Sequence, residues 1–253
     1  MARDRYLWNA GEETIHQDGE TAHPQTPKGK WENFWYYHKF HLLIGLIVIA
    51  LIYSFVYELT TKEEPDYQIG VLTETKFSDE AAAVLEQKIA QYGEDLNGDG
   101  RVIVRVNPYF IVMEEGKEVS DPSLQMASVA KFLSDLETGD SMIFLTDDTS
   151  FQGHQKSREM FSNLDGTVPE VGAGQNETAM RLPWKDAKPL STLVTEADLS
   201  MLDVDSRQKV MQQLDGLGIS LRVFSGTPLE QNPEKESYYT ASRTLFDRLV
   251  YGK

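Results

Sequence analysis

The run Phe40–Leu59, FHLLIGLIVIALIYSFVYEL, constrains this chain more than any other stretch. Over its 20 residues only His41, Ser54 and Glu58 interrupt the apolar character. As a helix, such a run rises about 30 Å, the thickness of a bilayer's hydrocarbon core. A helix also satisfies its own backbone hydrogen bonds, which lipid cannot do for it. A core helix of a soluble protein would be shorter and would carry a polar stripe. The reading is one transmembrane helix with the lipid bilayer as its partner. It divides the chain into a cytoplasmic tail ending in a juxtamembrane aromatic and basic segment (1–39), the span (40–59), a linker (60–66) and an extracytoplasmic α/β domain (67–253).

Orientation follows from the flanking charges. Lys28, Lys30 and Lys39 precede the span, whereas Lys62 alone follows closely, ahead of Glu63, Glu64 and Asp66. Excess lysine stays on the cytoplasmic side, so the N-terminus is expected inside and the large domain extracellular, held by an uncleaved signal anchor. Trp31, Trp35, Tyr36 and Tyr37 lie among those lysines, where rings with one apolar and one polar end suit the headgroup level. Residues 60–253 carry 19 basic and 33 acidic groups, a net −14 of the chain's −16. That balance argues against nucleic acid as a partner. The chain has no cysteine, which excludes disulfides, thiolate metal sites and thiol catalysis.

Beyond the linker, strand and helix patterns alternate. Tyr67–Thr73 reads as a strand, and Ser78 as the cap of a helix from Asp79 to about Tyr92. Val102–Val106 and Tyr109–Met113 read as two strands separated by Pro108, with Glu114–Lys117 as a hairpin turn. Asp121-Pro122 opens a helix whose apolar face is Val129, Phe132, Leu133 and Leu136, and Gly139 stops it. Met142–Leu145 is a continuous apolar run, as in a strand covered on both faces. Residues 150–200 read as loops and short pieces, with His154 exposed in a polar loop. A helix near Asp205–Leu214, a strand Ile219–Phe224 and a helix Lys235–Tyr251 complete the chain. Strands alternating with helices predict a mostly parallel sheet covered on both faces.

Gln125–Phe151, QMASVAKFLSDLETGDSMIFLTDDTSF, resembles a segment of bacterial extracellular solute-binding proteins. The shared pattern is a helix ending at Gly139-Asp140, the apolar strand Met142–Leu145 and the acidic pair Asp147-Asp148 before the next helix. With WENFWYYHKFH before the span and DLNGDG after the first outer helix, the whole chain also resembles uncharacterised single-span proteins of Gram-positive bacteria. The resemblance implies a solute-binding-like domain on the outer face and an unidentified small molecule or protein as its partner.

No G-x-S-x-G, Walker A or H-E-x-x-H motif is present, so the sequence offers no recognisable catalytic centre. Ligands of open α/β folds sit outside the carboxyl ends of strands, which nominates Thr73, Glu74, Asn107, Asp147, Asp148 and Ser225. Asp95–Gly100, DLNGDG, matches the first half of a calcium loop. Asp95, Asn97 and Asp99 would supply side-chain oxygens and Arg101 a backbone carbonyl. Position 12 is Val106 instead of a bidentate glutamate, and the same residues also favour an ordinary Asn-Gly/Asp-Gly turn. Three functions fit: a non-catalytic binding or interaction module, a carboxylate-dependent surface hydrolase, or an accessory subunit of a membrane complex.

Overall fold

The computed structural model describes residues 26–61, 63–114, 116–169 and 177–253, so most of the N-terminal tail lies outside the described residues. The chain forms two compact units, meeting at residues 63 and 64.

The first unit is helix α1, Pro27–Thr61, 35 residues long, or about 52 Å at 1.5 Å per residue. It is long and apolar enough to cross a membrane, and none of its most apolar stretch is buried in the protein. The helix starts well before Phe40, so the aromatic and basic segment is helical too. Trp31, Phe34 and His38 stack along one side, with centroids 5.8 and 4.7 Å apart. The Lys39 ammonium stands 5.8 Å from the Tyr36 ring and 5.3 Å from the Phe40 ring.

The second unit is an α/β domain. In chain order it comprises β1 (Tyr67–Thr73), α2 (Asp79–Ile89), β2 (Val104–Phe110), α3 (Pro122–Thr138), β3 (Ser141–Thr146), α4 (Asp148–Arg158), α5 (Glu177–Met180), β4 (Arg181–Pro183), α6 (Lys188–Ser191), α7 (Val204–Asp215), β5 (Gly218–Leu221) and α8 (Pro233–Tyr251). The strands form one sheet in the order β2-β1-β3-β5-β4.

The sheet is mixed, not mostly parallel. β2, β1 and β3 are mutually parallel, whereas β5 runs antiparallel to both β3 and β4. The cause lies in α7. It brings the chain to the carboxyl edge of the parallel strands, where Gln213 touches the loop after β1. β5 must therefore start at that edge, with Gly218 opposite Thr146, and run back.

Alternation along the strands sorts two cores, one on each face. Ile69, Val71, Val104, Val106, Ile143 and Leu145 point to one face, against Leu85 and Ile89 of α2, Leu214 of α7 and Leu245 of α8. Leu72, Tyr109 and Phe144 point to the other, against Phe132 of α3 and Phe151 of α4. All six residues of β3 are buried, as expected for a central strand covered on both faces.

Several local signals hold. Ser78 caps α2 by accepting from the Ala81 N–H at 3.2 Å. Asp121 caps α3 through the Leu124 N–H at 2.9 Å, with Pro122 as its first residue. Gly139 ends that helix at φ 66°, left-handed backbone that glycine adopts without strain.

Other expectations are corrected. Pro108 interrupts nothing: β2 is one strand, and it lies at the sheet edge, where a missing N–H costs no ladder bond. The Val106 N–H, which points away from β1, donates to Glu86 Oε1 at 2.8 Å. Pro108 has the same parity, so its imide nitrogen points outward as well. The turn at Glu114–Lys117 forms through a 3.2 Å bond but leads to α3, not to a second hairpin strand. Leu133 is 43% exposed; α3 is rotated so that Ser128, Phe132 and Asp135 face inward. His154 is buried on α4, with its ring 4.8 Å from that of Phe132.

Candidate functional site

In this strand order the connection from β1 leads to β2 on one side, while β3 lies on the other. The crevice between the carboxyl ends of β1 and β3 is thus the switch point where open α/β sheets place ligands. Thr73, Glu74, Asp147 and Asp148 all lie at that edge, and the Glu74 backbone meets the Asp147 side chain there.

That crevice is laced by internal bonds. The Glu74 N–H donates to Asp147 Oδ2 at 2.8 Å, and the Asp147 N–H donates to the Leu72 carbonyl at 3.2 Å. The other oxygen of Asp147 caps α4 by accepting from Ser150 N–H at 2.7 Å. The Glu74 carboxylate is buried and receives the N–H groups of Met113 and Glu114 at 2.8 and 3.0 Å and the Lys117 ammonium at 2.5 Å. Burial pushes its pKa up, but the ammonium and the two amides outweigh that and leave it below the usual carboxylate range. Asp148 turns elsewhere and pairs with the buried Arg181 at 2.8 Å. Arg181 also reaches the Thr146 carbonyl at 2.9 Å. The two adjacent aspartates therefore have separate structural duties and do not converge on one reacting atom.

Asn107 and Ser225 are not brought to this edge. Asn107 lies mid-strand, opposite Gly70. Its amide donates to Gln68 Oε1 at 2.9 Å, and its carbonyl accepts from Lys131 at 2.9 Å. Ser225 follows β5, and because β5 runs antiparallel, its carboxyl end lies at the opposite edge of the sheet.

The opening is displaced sideways from the switch point. A cleft of about 610 Å³ lies between the β1–α2 loop and α7, lined by Thr75, Lys76, Ser78, Ser206, Lys209 and Gln213 among others. Its size falls within the range of small-molecule sites, about 300–1,000 Å³. The loop is held in place: Thr73 Oγ1 donates to the Thr75 carbonyl at 2.7 Å. The Gln213 amide donates to Thr75 Oγ1 and to the Lys76 carbonyl, each at 3.2 Å. Val210 and Leu214 bury one side of α7 in the core, which leaves Ser206, Lys209 and Gln213 for the cleft. Sequence reasoning named Thr73 and Glu74 but stopped short of the next turn of loop. The available signal was the amphipathic pattern of α7, whose polar side faces no strand.

The DLNGDG loop is built inward. Asp95 accepts from the N–H groups of Gly98 and Gly100 at 2.7 and 2.8 Å. Asn97 Oδ1 accepts from Asp99 N–H at 2.9 Å, and Asp99 Oδ1 from Arg101 N–H at 2.8 Å. Gly98 and Gly100 have φ of 77° and 83°, which the tight turns require. Beneath the loop, the buried Asp66 accepts from Leu96, Asn97 and Ile103 at 2.7, 3.2 and 2.7 Å. Val106, at the twelfth position, is buried in β2 and supplies no oxygen. Among the described residues, no group of three or more His, Asp or Glu side chains is placed to hold a metal.

Comparison with protein-family profiles, with curated proteins and with solved structures gives no match for this chain.

Proposed function

We propose that this protein is a membrane-anchored, extracytoplasmic recognition module. Its α/β domain, of solute-binding-like descent, binds a small molecule without transforming it. The observation that carries this reading is the cleft beside the carboxyl end of β1. It opens at the carboxyl edge of the sheet, beside the switch point where such folds take ligands, in a chain whose other unit is an apolar helix long enough to span a bilayer. The carboxylates of the neighbouring switch point are committed to backbone and basic partners, and the cleft lining holds a single carboxylate, Glu80, with no second one to converge on a reacting atom, which favours recognition over hydrolysis.

One experiment tests both placement and cleft. The chain has no cysteine, so Ser206→Cys and Thr21→Cys each give a single thiol. An impermeant maleimide is expected to label position 206 in intact cells, more slowly in spent growth medium than in buffer, and position 21 only after permeabilisation. Labelling of position 21 alone would reverse the proposed topology. Equal rates at 206 in medium and buffer would count against an occupied cleft.

Calcium belongs to this proposal as a weak stabilising ion at Asp95, Asn97, Asp99 and the Arg101 carbonyl. At a dissociation constant of about 10⁻⁴–10⁻³ M, calcium at about 5 mM stabilises the folded form by roughly 1–2 kcal/mol. That corresponds to a rise in melting temperature of about 2–8 °C for a domain of this size. Asp99→Ala should abolish the rise, and magnesium should give less of it. An unchanged melting temperature would leave the loop as a turn only.

A further inference from the structure

The cleft differs in charge from the domain around it. Residues 60–253 carry a net −14, yet two lysines, Lys76 and Lys209, line this one depression. Elsewhere Lys88, Lys117, Lys185 and Lys235 each pair with a carboxylate. The ammonium groups of Lys76 and Lys209 make no ion pair or hydrogen bond among the described residues, although the Lys76 charge acts on Glu80. Glu80, the one carboxylate in the lining, accepts from Ser78 Oγ at 2.7 Å. Its acidity is raised first by that hydroxyl and in smaller part by the charge of Lys76.

The remaining lining suits a hydroxylated ligand. Thr75, Ser78, Ser206, Gln212 and Gln213 line the cleft with hydroxyls and amides, of which Ser78 already donates to Glu80 and Gln213 to the loop, around a floor that includes the buried Val210. The first N–H groups of α2 are not the anion holder, because Ser78 already caps that end. Charge recognition would have to come from the two exposed lysines on either side of the cleft, Lys76 on the pinned loop and Lys209 on α7.

Resting on the reading of the cleft as the binding site, we propose that its ligand is a small hydroxylated anion, with a carboxylate or phosphate set between Lys76 and Lys209. Such an arrangement uses point-charge donors on flexible stems for the anion and neutral donors for the hydroxyls.

The test is calorimetric titration of the full chain in nanodiscs with glucuronate, glucose 6-phosphate and glucose. Saturable binding of one or both anions, with none for glucose, is expected; which anion binds separates a carboxylate from a phosphate ligand. Lys76→Gln with Lys209→Gln should weaken binding at least about tenfold, because both charged contacts to the anion are lost. Lys188→Gln, on α6, should leave it unchanged. Ser206→Trp, which fills the cleft, should abolish it. Glucose binding that is lost in Ser206→Trp but retained in the double lysine variant would keep the cleft and overturn the anion. Absence of heat for both anions up to about 10 mM, beyond millimolar affinity, would also overturn it, whatever the cysteine labelling shows for the cleft.

Discussion

Replacing Asp135 with alanine is expected to destabilise the α/β domain by about 3–5 kcal/mol, the range for breaking a buried charged network by removing one partner. Asp135 is 4% exposed. Its carboxylate accepts the Tyr109 hydroxyl and, at 2.7 Å, the N–H of Ser141. Arg222, also buried, donates to the carbonyls of Asp135 and Leu136. Burial lowers the Arg222 pKa, and the charges of Asp135 and Asp140 push it back up. The alanine variant would leave a buried phenol and a buried amide without their acceptor, and a buried cation without its nearest counter-charge. Chemical denaturation of wild type and variant measures the loss; a change under about 1 kcal/mol would show that the pocket is rehydrated at little cost.

The same cluster has an alkaline signature. Burial, and then the Asp135 charge, hold the Tyr109 pKa far above its ordinary value. In the unfolded chain a tyrosine loses its proton near pH 10, while the folded protein keeps it. The contribution of Tyr109 is therefore complete below that pH and falls above it by about 1.4 kcal/mol per pH unit. Tyr109→Phe should remove that part of the alkaline slope.

The second large effect is expected at Asp66. Alanine there should cost about 2–4 kcal/mol, because three N–H groups lose a charged acceptor at once and water can reach part of the site. The melting temperature should fall by about 4–16 °C at 2–4 °C per kcal/mol. Asp66→Asn keeps one carbonyl oxygen, so it should lose roughly half as much. If the two variants melt together within about 1 °C, far less than this scale predicts, the carboxylate is not what orders the DLNGDG loop.

Much of the framework could be read from local chemistry. The caps at Ser78, Asp121 and Gly139 depend on residues adjacent in sequence, and β3 declared its burial through four consecutive large apolar residues. Strand direction was not legible. All four residues of β5 are buried, so no alternation marks a face, and a strand reads the same whichever way it runs. β4 has three residues, too few for any period to show. The resemblance implied a helix after Asp147-Asp148, but the residue pattern of α4 did not show one, because its mean composition is polar. Its inward residues, Phe151, His154 and Gln155, follow helical spacing, and the histidine was mistaken for a solvent-facing group.

The site followed the same division. Thr73, Glu74, Asp147 and Asp148 were placed at the carboxyl edge because carboxyl ends of parallel strands can be deduced from order alone. Ser225 failed with the direction of β5, and Asn107 failed because Pro108 hid the middle of a longer strand. The cleft itself depends on how α7 packs beside the β1–α2 loop, a contact between residues more than 130 positions apart. Nothing local encodes that distance.

The outer edge of β2 bears on how neighbouring copies coexist. A chain confined to two dimensions, as the anchor proposed here would confine it, meets its own kind far more often than one free in solution. An unguarded outer strand would invite these encounters to zip into continuous ribbons, each copy templating the next. Here Glu86 occupies the Val106 N–H and Pro108 offers none, so a second copy finds two rungs of the ladder missing. The proline that looks like a break in the strand thus removes one of the rungs by which a second copy could extend the sheet.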